Sequence, residues 1–258
     1  HTSAHMTAEE RQFRIEDHLK KVEFASLAEL SELVDVSEST VRRDVQILES
    51  KGAVQRTHGG ARLINPRSDE FIFTTRDTFQ ADEKDAIGRA CAELITPGQT
   101  VILDAGTTVF HVAKHLAAKK PHVVTNSLPV ANLFASNPDL EVVVSGGVIY
   151  PRLGVLVGPI AVETFTKIHA DVAILSAAGI TEEGISNSHG LLIDIQKAML
   201  ANAQKIIFCL DHTKFGRKSF SQLCDLDVID VVVTDVQTPE PMLEMLRGRD
   251  VQVVVTKQ

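Results

Sequence analysis

Two adjacent arginines, Arg42 and Arg43, stand in the run SESTVRRD at residues 37–44, among hydroxyl side chains. An arginine guanidinium can donate two parallel hydrogen bonds to a guanine edge or a phosphate, and serine and threonine hydroxyls hold phosphate oxygens. If the run is helical with Val41, Val45 and Leu48 as its apolar face, Glu38, Ser39, Arg42, Arg43 and Gln46 point elsewhere. The N-terminal part of such a helix is the part that enters a DNA major groove. Ser37, Ser39, Thr40, Arg42 and Arg43 are therefore the expected contacts to a double-stranded DNA operator. Arg56 and His58 follow, beside Gly59 and Gly60, whose backbone can approach a phosphate closely. The competing reading is plain: two solvated arginines paired with Glu38 or Glu49.

A second group of residues suits a small anion. VILDAGTTVFHVAKHL places Asp104 at the end of a strand and Gly106, Thr107 and Thr108 at the start of a helix. A helix start has free N–H groups and the positive end of the helix dipole, and both favour an anion. Neither a P-loop lysine nor GxGxxG is present, so a phosphorylated small molecule is expected in place of a nucleotide. Other strand ends repeat the chemistry: Thr125, Asn126 and Ser127 in VVTNS, Gly146 and Gly147 in VSGG, Gly179 in LSAAGI, and Asp211 and Lys214 in CLDHTKFG. In an open parallel sheet ligands bind beyond the carboxyl ends of the strands, so these loops should converge on one crevice. Taken singly, each is also an ordinary turn or cap.

The elements that must position these residues are legible. Thr7 with Glu10, and Ser26 with Glu29, have capping-box spacing. Phe13, Ile15 and Leu19 read as the buried stripe of the first helix, and Leu27, Leu30 and Leu33 as that of the second. Ser37 caps a third helix that Gly52 stops. AVQRT and ARLI around HGG then read as a β-hairpin. Three short helices ending in a hairpin make a winged helix-turn-helix, assigned to 7–61. A linker is placed at 62–75, around Pro66. Beyond it, from 76 to 258, TVILD, HVVT, LEVVVSG, DVAILSA, KIIFCLD, VIDVVVTD and VQVVVT alternate with helical stretches such as TVFHVAKHLAAK, LPVANLFAS, GPIAVETFTKI and LLIDIQKAMLANA. The fold class is thus α/β: a small N-terminal winged helix-turn-helix domain, then a larger α/β effector and oligomerisation domain with a mostly parallel sheet.

Composition bounds the function. The 258 residues carry a net charge of -8, with 44% hydrophobic and 23% charged residues. From Ser37 to Arg62, however, Arg42, Arg43, Lys51, Arg56 and Arg62 outnumber Glu38, Asp44 and Glu49, a local balance of +2. Phosphate neutralisation is local, so the global sign does not exclude DNA. No stretch is long and apolar enough for a membrane helix. The opening HTSAHM reads as a cloning remnant. Cys91, Cys209 and Cys224 are widely spaced, as expected of reduced thiols in a cytoplasmic protein, and no metal or other cofactor is expected.

The stretch LAELSELVDVSESTVRRDVQILESKGAVQRTHGGA closely resembles the N-terminal signature of DeoR-type bacterial transcriptional repressors. The segments from Arg76 through Phe220 also resemble the DeoR-type effector domain, which is similar to sugar-phosphate isomerases. The resemblance implies DNA binding by Ser37, Ser39, Thr40, Arg42, Arg43, Arg56 and His58. It implies an effector pocket for a phosphorylated sugar or polyol lined by Asp104, Gly106, Thr107, Thr108, Asn126, Ser127, Gly147, Gly179, Asp211 and Lys214. Asp194 stands where family members commonly carry a glutamate, and Arg152 in the less typical YPRLGVLVGP is a candidate second anion contact. The expected function is a repressor of carbohydrate metabolism genes, not an enzyme, acting as a homo-oligomer, dimer or tetramer. A phosphosugar isomerase or deaminase using Asp104, Asp194, Asp211 and Lys214, and an architectural DNA-binding protein without a ligand, are the alternatives.

Overall fold

Thr7 and Glu10 make the reciprocal cap that their spacing predicts: the Glu10 N–H donates to Thr7 Oγ1 at 3.2 Å, and the Thr7 N–H donates to Glu10 Oε2 at 2.9 Å. In the computed structural model, which describes residues 6–22, 24–57, 59–63 and 73–257, this cap opens α1 (Ala8–Val22). The chain divides into two units, residues 1–70 and 71–258.

In the first unit, β1 (Phe24–Ser26) leads into α2 (Leu27–Val34), which starts at a second complete capping box on Ser26 and Glu29. Asp35 turns the chain in the left-handed region (φ 50°), its N–H held by the Ser31 carbonyl, and Ser37 caps α3 (Glu38–Ser50). Gly52 (φ 74°) carries the chain out of that helix. It then enters β2 (Val54–Thr57) and β3 (Gly60–Leu63), paired antiparallel from Val54–Leu63 to Thr57–Gly60. The three strands run in the order β1-β3-β2. Sequence periodicity misses β1, because FAS is too short to alternate and lies between two helical patterns. Ile15, Leu19, Leu30, Val34, Val41, Val45, Leu48 and Val54 form the core of this unit. Two assignments to that core are corrected: Phe13 and Leu33 are exposed at 68% and 36%. Gln12, Ile15 and Leu19 follow the i, i+3, i+7 rule that buries one face, whereas Phe13 is two residues from Ile15 and so points away. On α2 the same rule favours Leu30 with Val34 over Leu33.

The second unit begins with α4 (Phe73–Thr78) and α5 (Ala81–Glu93). It continues through β4 (Thr100–Leu103), α6 (Thr107–Leu116), β5 (His122–Thr125), α7 (Leu128–Ala135) and β6 (Val142–Val144). The hairpin strands β7 (Val148–Tyr150) and β8 (Val155–Val157) precede α8 (Pro159–Thr166) and β9 (Ala170–Leu175). Then come β10 (Gly179–Thr181), β11 (Gly184–Asn187), α9 (Gly190–Ala201), β12 (Ala203–Cys209), β13 (Ser221–Cys224), β14 (Val231–Thr234), α10 (Glu240–Arg247) and β15 (Gln252–Val255). β3 reaches Leu63 and α4 starts at Phe73, so both ends of the expected linker at 62–75 fall in regular elements, and Pro66 lies outside the described residues.

The seven expected strands form one sheet in the order β15-β14-β12-β9-β4-β5-β6, every pair of them parallel. Both faces are covered, which is why the strands read as near-continuous Val, Ile and Leu. Alternate residues serve the two faces: Ile102, Val124, Ala173 and Phe208 pack with α8 and α9, and Val101, Leu103, Val123, Ile174 and Cys209 pack with α5, α6 and α7. A small antiparallel sheet, β10-β11-β13, and the β7–β8 pair were not legible, being three- and four-residue strands in Gly-rich or polar stretches. Cys91 and Cys209 are buried free thiols and Cys224 is half-buried. Among the described residues no helix is long and apolar enough to cross a membrane.

Candidate nucleic-acid and effector sites

The exposed face of α3 carries what its sequence promised. Arg42 and Arg43 are exposed, and neither forms an ion pair with Glu38 or Glu49. Glu49 is engaged elsewhere: Arg56 donates from Nε to Glu49 Oε2 at 2.5 Å and from its backbone N–H to Oε1 at 3.0 Å. Those bonds hold the Glu49 carboxyl below its ordinary range, the backbone bond contributing most. The wing cation Arg56 is thus half neutralised within its own unit. Asp44, counted as a surface charge from sequence, is buried and bound to Arg11 Nε at 2.8 Å. Removing it from the surface makes the exposed face more cationic than the sequence balance suggested.

At the start of α3, Ser37 Oγ lies 2.8 Å from Ser39 Oγ and 3.0 Å from Thr40 Oγ1. Ser37 also accepts the Thr40 N–H at 3.4 Å and so caps the helix. A cleft of about 410 Å³ between helix and wing is lined by Arg42, Glu49, Arg56, Thr57, Gly59 and Gly60, among others. Gly59 has φ 89°, the left-handed geometry of a two-residue hairpin turn. His58 lies outside the described residues.

In the second unit the strand order places the switch point at β4: the chain leaves it for β5 on one side and later returns to β9 on the other. Asp104 and the start of α6 lie there, as expected of a ligand crevice. Gly106 precedes α6 with no side chain to cap it. A β-carbon at Gly106 would come within 2.0 Å of Ser176 Oγ, so the two strand-end loops pack closely here and any larger residue would have to displace that hydroxyl. Thr107 and Thr108 are buried in the first turn.

Asp104 is buried; its Oδ2 accepts Gln196 Nε2 at 2.7 Å and the Ser176 N–H at 3.4 Å. Burial pushes its carboxyl up, against the lowering effect of Gln196, of the Ala105 and Ser176 N–H groups and of the Arg76 charge. Asn126 is fully buried, donating from Nδ2 to the Leu156 carbonyl at 3.3 Å. Ser127 caps α7 by accepting the Val130 N–H at 3.3 Å, so its hydroxyl has a structural task. Asp211 accepts the Thr213 N–H at 3.0 Å and the Thr213 hydroxyl, capping the short turn that carries Lys214. Burial raises the Asp211 carboxyl, but Lys214, Thr213 and Lys84 together outweigh it and leave it below its ordinary value.

Lys84, absent from the sequence-derived set, is the buried cation of this site. Its Nζ donates to the Arg76 carbonyl at 2.6 Å, and burial pulls it down to about 8; Asp211 partly offsets this, and the Lys214 and Arg76 charges add to it. Arg76 acts on both Asp104 and Lys84, and its short helix is tied down by Asp77 at 3.1 Å from His111 Nε2. A sequence signal existed for Lys84: it falls on the apolar stripe of α5 with Ile87, Gly88 and Cys91, where a solvated lysine has no place.

Several predicted residues fall elsewhere. Asp194 is exposed on the outer side of α9, in a groove with Glu163 and Lys197; Gln196, two residues on and therefore on the opposite side, is the α9 residue that faces the crevice. Gly179 answers a packing need, since a β-carbon there would meet the Arg217 carbonyl at 2.2 Å. Gly147 (φ 126°) is likewise pressed against the Val157 carbonyl, and Gly146 is exposed beside Ile160. Arg152 lies at the exposed β7–β8 turn, where its carbonyl accepts the Phe73 N–H at 3.0 Å.

Comparison with known proteins agrees with both units. Residues 11–67 match the DeoR-like helix-turn-helix domain and residues 79–236 the DeoR C-terminal sensor domain. The chain is similar to the HTH-type transcriptional repressor GlcR of Bacillus subtilis, 34% identical over 98% of each chain. It is also similar to the glycerol-3-phosphate regulon repressor of Escherichia coli, 30% identical over 91% of this chain and 94% of the relative. A ribose 5-phosphate isomerase A from Methanocaldococcus jannaschii aligns over 52% of this chain and 54% of its own, at 16% identity and a TM-score of 0.39. With an exposed arginine pair on a capped helix, a sensor-type α/β unit after it and relatives matched from end to end, the chain belongs to the DeoR family of DNA-binding transcriptional regulators.

Proposed function

We infer that this regulator is a repressor of carbohydrate metabolism genes whose grip on its operator is set by a phosphorylated sugar or polyol at the strand ends of the α/β unit. The observation that carries this reading is Lys84. A buried ammonium is costly unless something anionic compensates it; Lys84 feels the like charges of Lys214 and Arg76 and the opposite charges of Asp211 and Asp77, and burial still pulls it down to about 8. The uncapped start of α6 at Gly106, Thr107 and Thr108 adds free N–H groups to the same strand ends. Cations and helix amides together suit a phosphate. The printed name of the Escherichia coli relative points to the same ligand class.

Ser37, Ser39, Thr40, Arg42, Arg43, Arg56, His58 and Gly59 are the proposed operator contacts. One winged helix reads few base pairs, so a homo-oligomer on repeated half-sites, acting in the cytoplasm, is part of the reading. Exposed Val143, Val144, Val148 and Ile149 at the β6 edge support self-association. The ligand must bind the arrangement that releases DNA better than the one that holds it; a coupling of about 1 to 3 kcal/mol changes operator affinity roughly 5- to 150-fold. The reading assigns binding and positioning tasks to Asp104, held by Gln196 Nε2, and to Asp211, which caps the turn that carries Lys214.

The test is a thermal-shift series with glucose 6-phosphate, ribose 5-phosphate and glycerol 3-phosphate. A ligand at 100 times its Kd adds about 2.7 kcal/mol, a clear rise in Tm. No shift at millimolar concentration contradicts the effector assignment, and turnover of a phosphosugar, lost on Asp211→Asn, contradicts the regulator-only assignment.

A further inference from the structure

In the parallel register Leu103 of β4 pairs with Thr125 of β5, and Thr125 with Val144 of β6. One residue further on, Asp104, Asn126 and Ser145 therefore stand side by side at three adjacent strand ends. Alternation puts all three on the face that carries Ile102 and Val124, beneath α8 and α9. They are buried, at 3%, 0% and 3% exposure. Strands are about 4.8 Å apart, so the row spans roughly 10 Å. At the same level the next strands carry Leu175 and Phe208, so the polar row begins at the switch point and runs only toward the β6 edge.

The row is short of hydrogen-bond donors. Among the described residues Asn126 Oδ1 and Ser145 Oγ have no partner, and a buried polar atom left unpaired costs about 1–3 kcal/mol. One of the two N–H groups of the Asn126 amide is given to the Leu156 carbonyl, while its Oδ1 stays an unused acceptor. Asp104 is aimed by Gln196, whose Oε1 accepts Asn187 Nδ2 at 2.6 Å, while Asn187 Oδ1 accepts the Ala178 N–H at 2.7 Å. A phosphate dianion, which has only acceptors, cannot satisfy Asn126 Oδ1; a hydroxyl, which donates and accepts, can. Burial, which pushes the Asp104 carboxyl up, adds to the demand for a donor there.

We propose that Asp104, Asn126 and Ser145 form a hydroxyl-reading row, along which the carbon chain of a phosphorylated sugar lies while its phosphate stays with Lys84 and the start of α6. This rests on the effector reading above and deepens it: Ser145 becomes a specificity residue and Gln196 a positioning residue. The β7–β8 hairpin holds Asn126 in the row through the Leu156 carbonyl. Three row positions favour a pentose or hexose phosphate over glycerol 3-phosphate, which has fewer hydroxyls.

Calorimetry on the full chain tests this, using glucose 6-phosphate, ribose 5-phosphate, glycerol 3-phosphate and inorganic phosphate. In the unaltered chain the tightest sugar phosphate should bind more strongly than glycerol 3-phosphate. Ser145→Ala, a small change, should weaken the sugar phosphate about 3- to 10-fold, the value of one hydrogen bond, with inorganic phosphate unchanged. Asn126→Leu should act in the same direction if it folds, and Ser145→Ala carries the test if it does not. A ratio of sugar phosphate to inorganic phosphate Kd that Ser145→Ala leaves unaltered overturns the row while leaving the effector reading standing. Absence of any sugar phosphate binding to the unaltered chain overturns both.

Discussion

The proposed DNA-reading face of α3 and the proposed effector crevice at the β4 end obey opposite rules. On α3 the functional side chains are exposed and the buried positions are apolar, so the site is what remains when the hydrophobic stripe is removed. In the crevice the functional groups are themselves buried: Lys84, Asp104, Asn126 and Asp211 are each under 5% exposed. Polar burial there must be met by partners, and where the protein does not supply them a ligand can. Charge on the first site acts through solvent and salt, whereas charge on the second acts at short range in a poorly solvated interior.

The largest expected contrast comes from Lys84→Met. Losing a buried cation opposite a ligand phosphate should weaken sugar phosphate binding by roughly 2 kcal/mol or more, about 30-fold, while the folded chain becomes more stable. The sign follows from linkage. Burial lowers the Lys84 pKa to about 8, against an ordinary 10.5. Between those values the unfolded chain holds a proton that the folded chain lacks, so stability rises with pH across that window. The same lowered value makes sugar phosphate affinity fall as pH climbs past about 8, and Lys84→Met should flatten both profiles. A variant that loses stability and keeps its affinity would assign Lys84 to packing and not to the ligand.

Next in size, Arg42→Ala or Arg43→Ala should weaken operator binding, and whichever reads a base should cost about 1–3 kcal/mol and relax specificity at that base; a phosphate contact should lower the salt slope by about 1. Titrations at several salt concentrations separate the two, and unchanged binding by both variants would remove α3 from the interface.

A smaller effect is expected at the wing. Glu49→Gln frees Arg56 from its ion pair. It should tighten DNA binding and steepen its salt dependence, whereas Arg56→Gln should do the reverse. Equal weakening by both changes would mean that the pair holds the wing in shape.

The smallest contrast lies within the helical core. Phe13→Ser and Leu33→Ser, at exposed positions, should stay within about 0.5 kcal/mol, while Leu30→Ala should cost about 2–5 kcal/mol. Chemical denaturation distinguishes them.

How much was legible follows from the same contrast. Capping boxes at Thr7 and Ser26, the Gly52 stop and the seven strand runs are local signals, and the structure keeps every one. Arg42 and Arg43 are legible because an amphipathic helix advertises its exposed face. Phe13 and Leu33 were misplaced because leucine and phenylalanine weigh in a pattern even when their angle around the helix is wrong. In the proposed crevice the loops after β4, β5 and β12 are marked in the sequence by small and polar residues at strand ends. Gln196 was not, because only the topology carries α9 over Asp104, and Asp194 two residues away had the more conspicuous charge. Ser145 escaped notice for a similar reason: its meaning comes from standing level with Asp104 and Asn126, which is a property of register. The wing position of Arg56 is legible, but its pairing with Glu49 across seven residues is not.

The central claim is that a ligand held near Lys84 sets the hold of Arg42 and Arg43 on DNA. The most direct measurement is operator affinity of the full chain, with and without a saturating sugar phosphate from the panel, in the unaltered protein and in Lys84→Met. The account predicts a change of about 5- to 150-fold in the unaltered protein and little or none in the variant, with ligand-free affinities alike. An operator affinity that a bound sugar phosphate leaves unchanged in the unaltered protein would contradict it.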